Sequence, residues 1–205
     1  MEQLPGLPPS AFDKADPSPD VEFYAYPRFV THIDDTAIAA VTQVYREVLP
    51  PGGALLDLMS SWVSHLPDDV AYTSVIGHGM NAEELAANPR LSRWFVRDLN
   101  VDPALDLVDA ELDGACLCVS VQYLQRPVDV FREVRRVLRP GAPFVVSFSN
   151  RCFPTKAVAI WQAFSGPDQQ RLVAAYMRAA GFGDVAQRAM TPAGADPLWV
   201  VIGTV

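Results

Sequence analysis

The chain has 205 residues, of which half are apolar and a fifth are charged. This length and composition are typical of one soluble globular domain with a sizeable core. The net charge of −8 argues against the phosphate backbone of a nucleic acid as the main ligand. No apolar run reaches the roughly 18 residues of a membrane span, so no membrane association is predicted.

The amino terminus lacks a basic stretch followed by an apolar one, so no secretion signal is predicted. Three cysteines, Cys116, Cys118 and Cys152, provide no even disulfide framework. Both observations favour a reducing, cytoplasmic location.

Residues 1–33 are predicted to form an N-terminal arm. The first twenty residues contain five prolines and little periodicity, which is typical of an irregular segment laid on the surface or partly disordered. Residues 21–34, VEFYAYPRFVTHID, are too rich in aromatic side chains for a free tail and are expected to pack against the body. Residues 34–205 are predicted as one domain without an internal repeat.

From residue 34 onward the sequence alternates between helical and strand patterns. Helices are predicted over 34–49, 62–66, 81–88, 128–138, 156–164 and 167–180. Strands are predicted over 54–58, 72–79, 94–99, 114–121, 142–149, 184–190 and 198–204. Such alternation indicates an α/β fold with a Rossmann-like, seven-stranded, mostly parallel sheet and helices on both faces. No helix separates the last two strands, so one of them is expected to run antiparallel.

Several segments resemble the class I S-adenosylmethionine-dependent methyltransferases. In FREVRRVLRPGAPFVVSFSN, a helix ends in the family's E-x-x-R-V-L-R-P-G pattern and leads into the fifth strand, with Ala142 in place of a second glycine. A D-x-x-x-S turn follows the first strand, RDLN follows the third, and LDGACLCVSVQYL occupies the fourth. The resemblance covers roughly residues 35–205. It implies an antiparallel last strand, S-adenosyl-L-methionine as the cofactor and methyl transfer as the activity.

The carboxyl ends of the strands are where such a fold binds its ligand. The turn after the first strand is expected to lead into a helix whose free N–H groups receive the carboxylate of the cofactor. Asp98 and Leu99 match the family's adenine site, with the carboxylate facing the exocyclic amine. The cofactor-binding residues implied by the resemblance are Asp57, Met59, Ser60, Ser61, Gly79, Met80, Asn81, Asp98, Leu99 and Ser120.

Two of these positions depart from the family pattern. Met59 stands where a glycine is preferred, and its side chain must point away from the ligand. Gly79 stands where the family has an acidic residue that accepts hydrogen bonds from the ribose hydroxyls, and Asn81 is the nearest side chain that could replace that acid. Asn81 could equally cap the following helix. These substitutions keep open an alternative function, that of a degenerate, non-catalytic cofactor-binding or partner subunit.

The acceptor side of the site is predicted in the loops after the fourth and fifth strands, because functional loops gather at this edge. Phe153 and Lys156 belong to the second of these loops. The aromatic arm could fold over the same edge as a lid, or merely close the core. The predicted substrate-binding residues are Tyr24, Arg28, Gln122, Tyr123, Asn150 and Arg151.

The sequence as a whole favours a methyltransferase acting on a small molecule, with no general base identified and no oligomeric state predicted. A nicotinamide-dependent oxidoreductase is disfavoured, because G-x-G-x-x-G is missing after the first strand. No metal site is predicted: His32, His65 and His78 are scattered along the chain, and Cys116 and Cys118 are expected to pack on one face of a buried strand.

Overall fold

The protein, described here from a computed structural model, has an α/β fold over residues 4–205. The helices are α1 (Asp20–Phe23), α2 (Asp35–Val48), α3 (Ala82–Ala87), α4 (Pro127–Val137), α5 (Ala159–Ala163) and α6 (Gly166–Ala180). The strands are β1 (Ala54–Leu58), β2 (Ser74–Gly79), β3 (Arg93–Val96), β4 (Gly114–Cys118), β5 (Pro143–Phe148), β6 (Gly183–Met190) and β7 (Leu198–Thr204). Short 3₁₀ turns cover Pro9–Phe12 and Val121–Tyr123.

All seven strands form one sheet in the order β3-β2-β1-β4-β5-β7-β6. Strands β1 to β5 pair in parallel, whereas β7 runs antiparallel to both β5 and β6. The predicted fold class and the antiparallel last strand are therefore confirmed. Because β1 lies between β2 and β4, the strand order reverses at β1, and a crevice opens beyond the carboxyl ends of β1 and β4.

The alternation of side chains along the strands divides the core between the two faces of the sheet. Leu56, Leu117 and Val146 pack on the face that also buries α4 and α6. Leu55 and Val145 pack on the other face, against α2. Both faces are thus covered, which is why the central strands are apolar along their whole length.

The helices end where the sequence provides caps. Asp34 accepts a hydrogen bond from the Ala37 N–H at 2.8 Å and begins α2. Gly181, with φ 93°, ends α6 in the left-handed conformation that glycine adopts without strain.

The helix predicted over residues 62–66 is wrong. Residues 59–73 follow an irregular path, in which His65 has a left-handed φ of 55°. The buried amide of Asn88 donates to the Ser61 carbonyl at 2.9 Å and to the Ser64 hydroxyl at 2.9 Å. Arg90 donates to the carbonyl of Val70 at 2.9 Å. Side chains of the 88–90 segment therefore supply bonds that a helix would have made within itself.

Two predicted strands are also shorter than expected, because left-handed or turn backbone follows them. Strand β4 ends at Cys118, since Val119 has a φ of 51°. Strand β3 ends at Val96, and the next residues form a turn in which Asp98 accepts from the Asn100 N–H at 2.9 Å. These turns carry the residues of the site described below.

The arm lies on the body over its described part, which begins at residue 4. Phe12 is buried beside Tyr176, with 6.3 Å between ring centroids, and Lys14 forms an isolated β-bridge with Val158. Among residues 4–205, no helix has the length and apolar character needed to cross a membrane.

Candidate functional site

A cavity of about 130 Å³ opens at the carboxyl ends of β1, β2 and β4, under the arm. The loops after these strands form its floor and sides, and arm residues form its roof. Its wall includes all ten residues of the predicted cofactor site: Asp57, Met59, Ser60, Ser61, Gly79, Met80, Asn81, Asp98, Leu99 and Ser120. Of the predicted substrate residues, Tyr24, Arg28 and Tyr123 also line it.

The first turn keeps the backbone conformation of a glycine although it contains none. Met59 has a φ of 54°, and its side chain packs against the core cluster that contains Leu56 and Leu117. Met59 and Asp98 both line the cavity. Val119 and His65, also in the cavity wall, share this left-handed backbone. Such strain costs about 1–3 kcal/mol per residue and is concentrated at functional sites.

Asp57 is buried at the end of β1, with 3% of its surface exposed. Burial raises the pKa of its carboxyl from 3.8 to about 6, against the opposing effect of the Ser60 hydroxyl, which donates to it at 2.6 Å. The floor of the cavity thus carries a carboxyl group that titrates near neutrality.

His78 fixes the ends of three neighbouring strands, a role that the sequence analysis missed. Its Nδ1 accepts from the Met59 N–H at 3.2 Å, and its Nε2 lies 2.9 Å from the Arg97 carbonyl, to which it donates. Its own carbonyl accepts from the Ser60 N–H at 2.6 Å. Burial lowers the pKa of the imidazole from 6.5 to about 4, so the ring is neutral with its proton on Nε2. A lone histidine within a strand gives no spacing signal from which this role could be predicted.

These contacts correct the predicted carboxylate site. No helix follows the first turn, and the N–H groups of Met59 and Ser60 are both bonded to His78. The amides expected to receive the cofactor's carboxylate are therefore engaged within the protein.

Gly79 cannot be replaced by an acid in this structure. A Cβ at Gly79 would lie 2.6 Å from the Ser60 carbonyl oxygen, closer than real contacts allow. The irregular path of the first turn thus explains why glycine occupies this position.

Asn81 caps α3 and holds the arm, so its predicted ribose-binding groups are already bonded. Its Oδ1 accepts from the N–H groups of Glu83 and Glu84 at 3.0 and 3.1 Å. Its Nδ2 donates to the carbonyls of Tyr24 and Ala25 at 3.0 and 3.3 Å. The carboxylate that lines the cavity on this side belongs to Glu84, which accepts from the Ser61 hydroxyl at 2.5 Å.

Asp98 and Leu99 lie together in the cavity wall, as predicted. Leu99 is buried, while Asp98 is partly exposed and uses one oxygen to accept from Asn100. Across the cavity, the buried Ser120 hydroxyl lies 2.8 Å from the Cys118 carbonyl and 3.3 Å from that of Met59. Its hydroxyl proton is thus directed at the protein backbone.

The arm forms an aromatic roof over the cavity. The Arg28 guanidinium lies 4.5 Å from the ring centroid of Phe23, 5.5 Å from that of Phe153 and 5.9 Å from that of Tyr24. Tyr123 stacks on Phe153 with 6.0 Å between centroids. The roof therefore joins the arm to the loops after β4 and β5.

A buried lysine ties the arm to the body. Lys156 is fully buried, and its Nζ donates to the Ser18 carbonyl at 2.7 Å and lies 3.1 Å from an Asp16 carboxylate oxygen. Asp20, in the cavity wall, pairs with Lys14 and lies 3.5 Å from Lys156. Lys156 thus acts on the arm rather than on a ligand.

Three predicted substrate residues, Gln122, Asn150 and Arg151, do not line the cavity, and their role in substrate binding stays a prediction. Arg151 pairs with the buried Asp196 at 2.8 Å and so holds the loop between β6 and β7. Asn150 is exposed beside Ser149. Gln122 is buried and donates to the Val119 carbonyl at 2.9 Å. The polar density of this loop comes from packing of the hairpin and arm, which sequence alone does not distinguish from a ligand site.

The three histidines, which are scattered along the sequence, all line the cavity. Burial lowers the pKa of both His32 and His65. Even so, no group of side chains suited to a metal ion occurs in residues 4–205. Cys116 and Cys118 pack in the same core cluster, as predicted.

Comparison with known proteins gives one family match. Residues 64–146 match the family model described as a methyltransferase domain. A comparison with curated protein sequences found no match.

Solved structures extend the likeness to most of the chain. A chain in the complex of the Haloferax volcanii Trm112 methyltransferase activator with a methyltransferase shares 14% identity at a TM-score of 0.64, covering 83% of this chain and 90% of that one. The [4+2]-cyclase SpnF shares 15% identity at a TM-score of 0.63, covering 90% of each chain. Phosphoethanolamine N-methyltransferase 2 of Haemonchus contortus, in complex with S-adenosyl-L-methionine, shares 12% identity at a TM-score of 0.59, covering 83% of this chain and 52% of that one.

At these identities the structural likeness is one of fold. Together with the family match, it confirms the resemblance to the class I methyltransferases that the sequence predicted. S-adenosylmethionine is the cofactor that these comparisons indicate.

Proposed function

Because the chain has the fold of the class I S-adenosylmethionine-dependent methyltransferases, we propose that it transfers the methyl group of S-adenosylmethionine to a small molecule. The observation that supports this most is the cavity at the switch point of the sheet, which combines acidic side chains with an apolar flank. Arm residues Tyr24, Arg28, Val30, Thr31 and His32 form part of the wall of this cavity.

The residues present fit the cofactor at three places. Asp98 retains a carboxylate oxygen that could accept from the adenine amine, with Leu99 and Met80 beside the ring. Asp57 provides an acid for the ammonium group. Met59 provides the left-handed turn that brings the backbone close to a ligand. On the ribose side, where Gly79 has no side chain, the Glu84 carboxylate is the acceptor in reach of the cavity.

When bound, the cofactor supplies an electrophilic methyl group on a sulfonium. The chain's own contribution is then to orient the acceptor and to exclude water, for which the roof of Tyr24, Phe153 and Tyr123 is suited. His32 also lines the cavity, where desolvation lowers the pKa of its imidazole, and it could accept a proton from the acceptor.

The alternative of a degenerate, non-catalytic protein is favoured by one specific observation. The amides of Met59 and Ser60 are bonded to His78, so these two backbone donors of the first turn are engaged within the protein. The cyclase SpnF, with a similar fold, is an example of a protein whose name describes a different reaction. Activity must therefore be tested separately from binding.

Thermal denaturation with S-adenosylmethionine and S-adenosylhomocysteine tests the binding. At a ligand concentration of a hundred times Kd, we expect a stabilisation of about 2.7 kcal/mol and a rise in Tm of about 5 °C or more. No rise with either ligand at millimolar concentration would contradict the proposal. Formation of S-adenosylhomocysteine with a mixture of small acceptors, followed by mass spectrometry, then separates an enzyme from a degenerate binder.

The Asp98→Ala variant tests the adenine site. We expect S-adenosylhomocysteine binding to weaken about tenfold, since a hydrogen bond to a charged group is lost, while Tm changes little because Asp98 is partly exposed. Calorimetric titration measures the affinity, and Asp106→Ala, which removes an exposed acid from the same loop, is the control. Equal affinity of Asp98→Ala and wild type would remove Asp98 from the site.

A further inference from the structure

Arg28 has an unusual position in the cavity wall. Its Nη2 donates to the Phe23 carbonyl at 2.8 Å, but its Nη1 is buried and has no hydrogen-bond partner. Among residues 4–205, it is the residue of the cavity wall that contributes such an unpartnered buried atom, and it forms no ion pair. A buried guanidinium donor without an acceptor is costly, and a carboxylate is the group whose geometry satisfies it best.

The arginine is held close to the first turn. Its backbone N–H donates to one carboxylate oxygen of Glu84 at 2.7 Å, and the Ser61 hydroxyl donates to the other at 2.5 Å. One acidic side chain thus links Arg28 to the turn after β1. The rings of Phe23, Tyr24 and Phe153 confine the guanidinium, which limits the conformational freedom that binding would otherwise remove.

The unpartnered Nη1 of Arg28 and its link to the first turn through Glu84 bear on the loss of the two amides that His78 engages. The turn cannot offer the amides of Met59 and Ser60 to an anion, yet Arg28 of the arm brings a charged donor to the wall of the same cavity. We propose that Arg28 binds the carboxylate of the cofactor's amino-acid end, in place of the first-turn amides. This inference rests on the proposed function, because it requires that S-adenosylmethionine occupies the cavity.

Two nucleosides that differ only at the amino-acid end test this assignment. S-adenosylhomocysteine carries the carboxylate, and 5′-methylthioadenosine lacks the whole amino-acid portion. For Arg28→Met in the full-length protein, we expect calorimetric Kd for S-adenosylhomocysteine to rise about tenfold to hundredfold. Kd for 5′-methylthioadenosine is expected to change less than about twofold. Arg28→Lys, which keeps the charge without the planar fork, should recover part of the loss.

Arg46→Met is the matched control, because it removes the same charge from an exposed pair with Asp69 outside the cavity. Unchanged binding of S-adenosylhomocysteine by Arg28→Met would overturn the assignment while leaving the proposed function intact. A similar loss for both nucleosides would also overturn it, since Arg28 would then shape the roof instead of binding the carboxylate. If wild type bound neither nucleoside, both the assignment and the proposed function would fail.

Discussion

Lys156→Met is expected to release the N-terminal arm and to lower the free energy of unfolding by about 3 kcal/mol. Methionine is close to lysine in length, so the cavity left behind is small. The loss comes from the carboxylates of Asp16 and Asp20, which lose a buried cation, and from the Ser18 carbonyl, which loses a donor. Urea denaturation measures the stability, and limited proteolysis reports whether cleavage begins within residues 13–33.

Arg171→Met is the control for this prediction, because it removes a cation from an exposed pair with Asp168. Such exposed pairs contribute about 0–1 kcal/mol, so the stability of this variant should stay near that of wild type. Release of the arm should also open the cavity roof and raise the dissociation rate of any bound nucleoside. Stability and cleavage pattern equal to those of wild type would show that Lys156 does not hold the arm.

The sheet could be predicted because its signals are local. Each strand is a short apolar run bounded by turn residues, and α2, α4 and α6 repeat apolar positions at helical spacing, which is the pattern that two covered faces impose. The helix predicted over 62–66 was wrong for a non-local reason. The Ser64 hydroxyl accepts from Asn88, and the flanking carbonyls of Ser61 and Val70 accept from Asn88 and Arg90, which lie twenty or more residues further along the chain.

The cavity residues at the strand ends could be predicted from the sequence, whereas the residues that contact the arm could be predicted less well. Asp57 lies near the carboxyl end of β1 and Asp98 two residues beyond β3, so the parallel sheet brings them to one edge. His78, Glu84 and Lys156 carry no pattern in sequence, since their roles depend on what the fold places opposite them. Arg151 shows the converse: a polar residue in a loop at the correct edge, whose partner Asp196 turns it away from the ligand.

Two buried groups at the cavity floor, His78 and Asp57, should have opposite effects on the pH dependence of the unfolding free energy. In folded protein the pKa of His78 is lowered from 6.5 to about 4, so stability falls as pH decreases through the unfolded value. The pKa of Asp57 is raised from 3.8 to about 6, so stability rises as pH decreases through the folded value. Wild type should therefore show only a shallow pH dependence between pH 7 and pH 5 from this pair.

Replacing either group should make the effect of the other on the unfolding free energy measurable. Between pH 7 and pH 5, the unfolding free energy of Asp57→Asn should fall by about 2 kcal/mol, because the unfolded histidine takes up a proton that the folded one does not. Over the same range, the unfolding free energy of His78→Gln should rise by about 1 kcal/mol, because the carboxyl of Asp57 becomes neutral in the folded protein. Urea denaturation followed by the fluorescence of the four tryptophans measures both. His32 and His65 titrate in all three proteins, so the differences between variants isolate the pair. If the unfolding free energies of the three proteins changed in parallel with pH, the opposed effects of His78 and Asp57 would be contradicted. Slopes of opposite sign for the two variants would establish that His78 and Asp57 are buried in the protonation states that the geometry of the first turn requires.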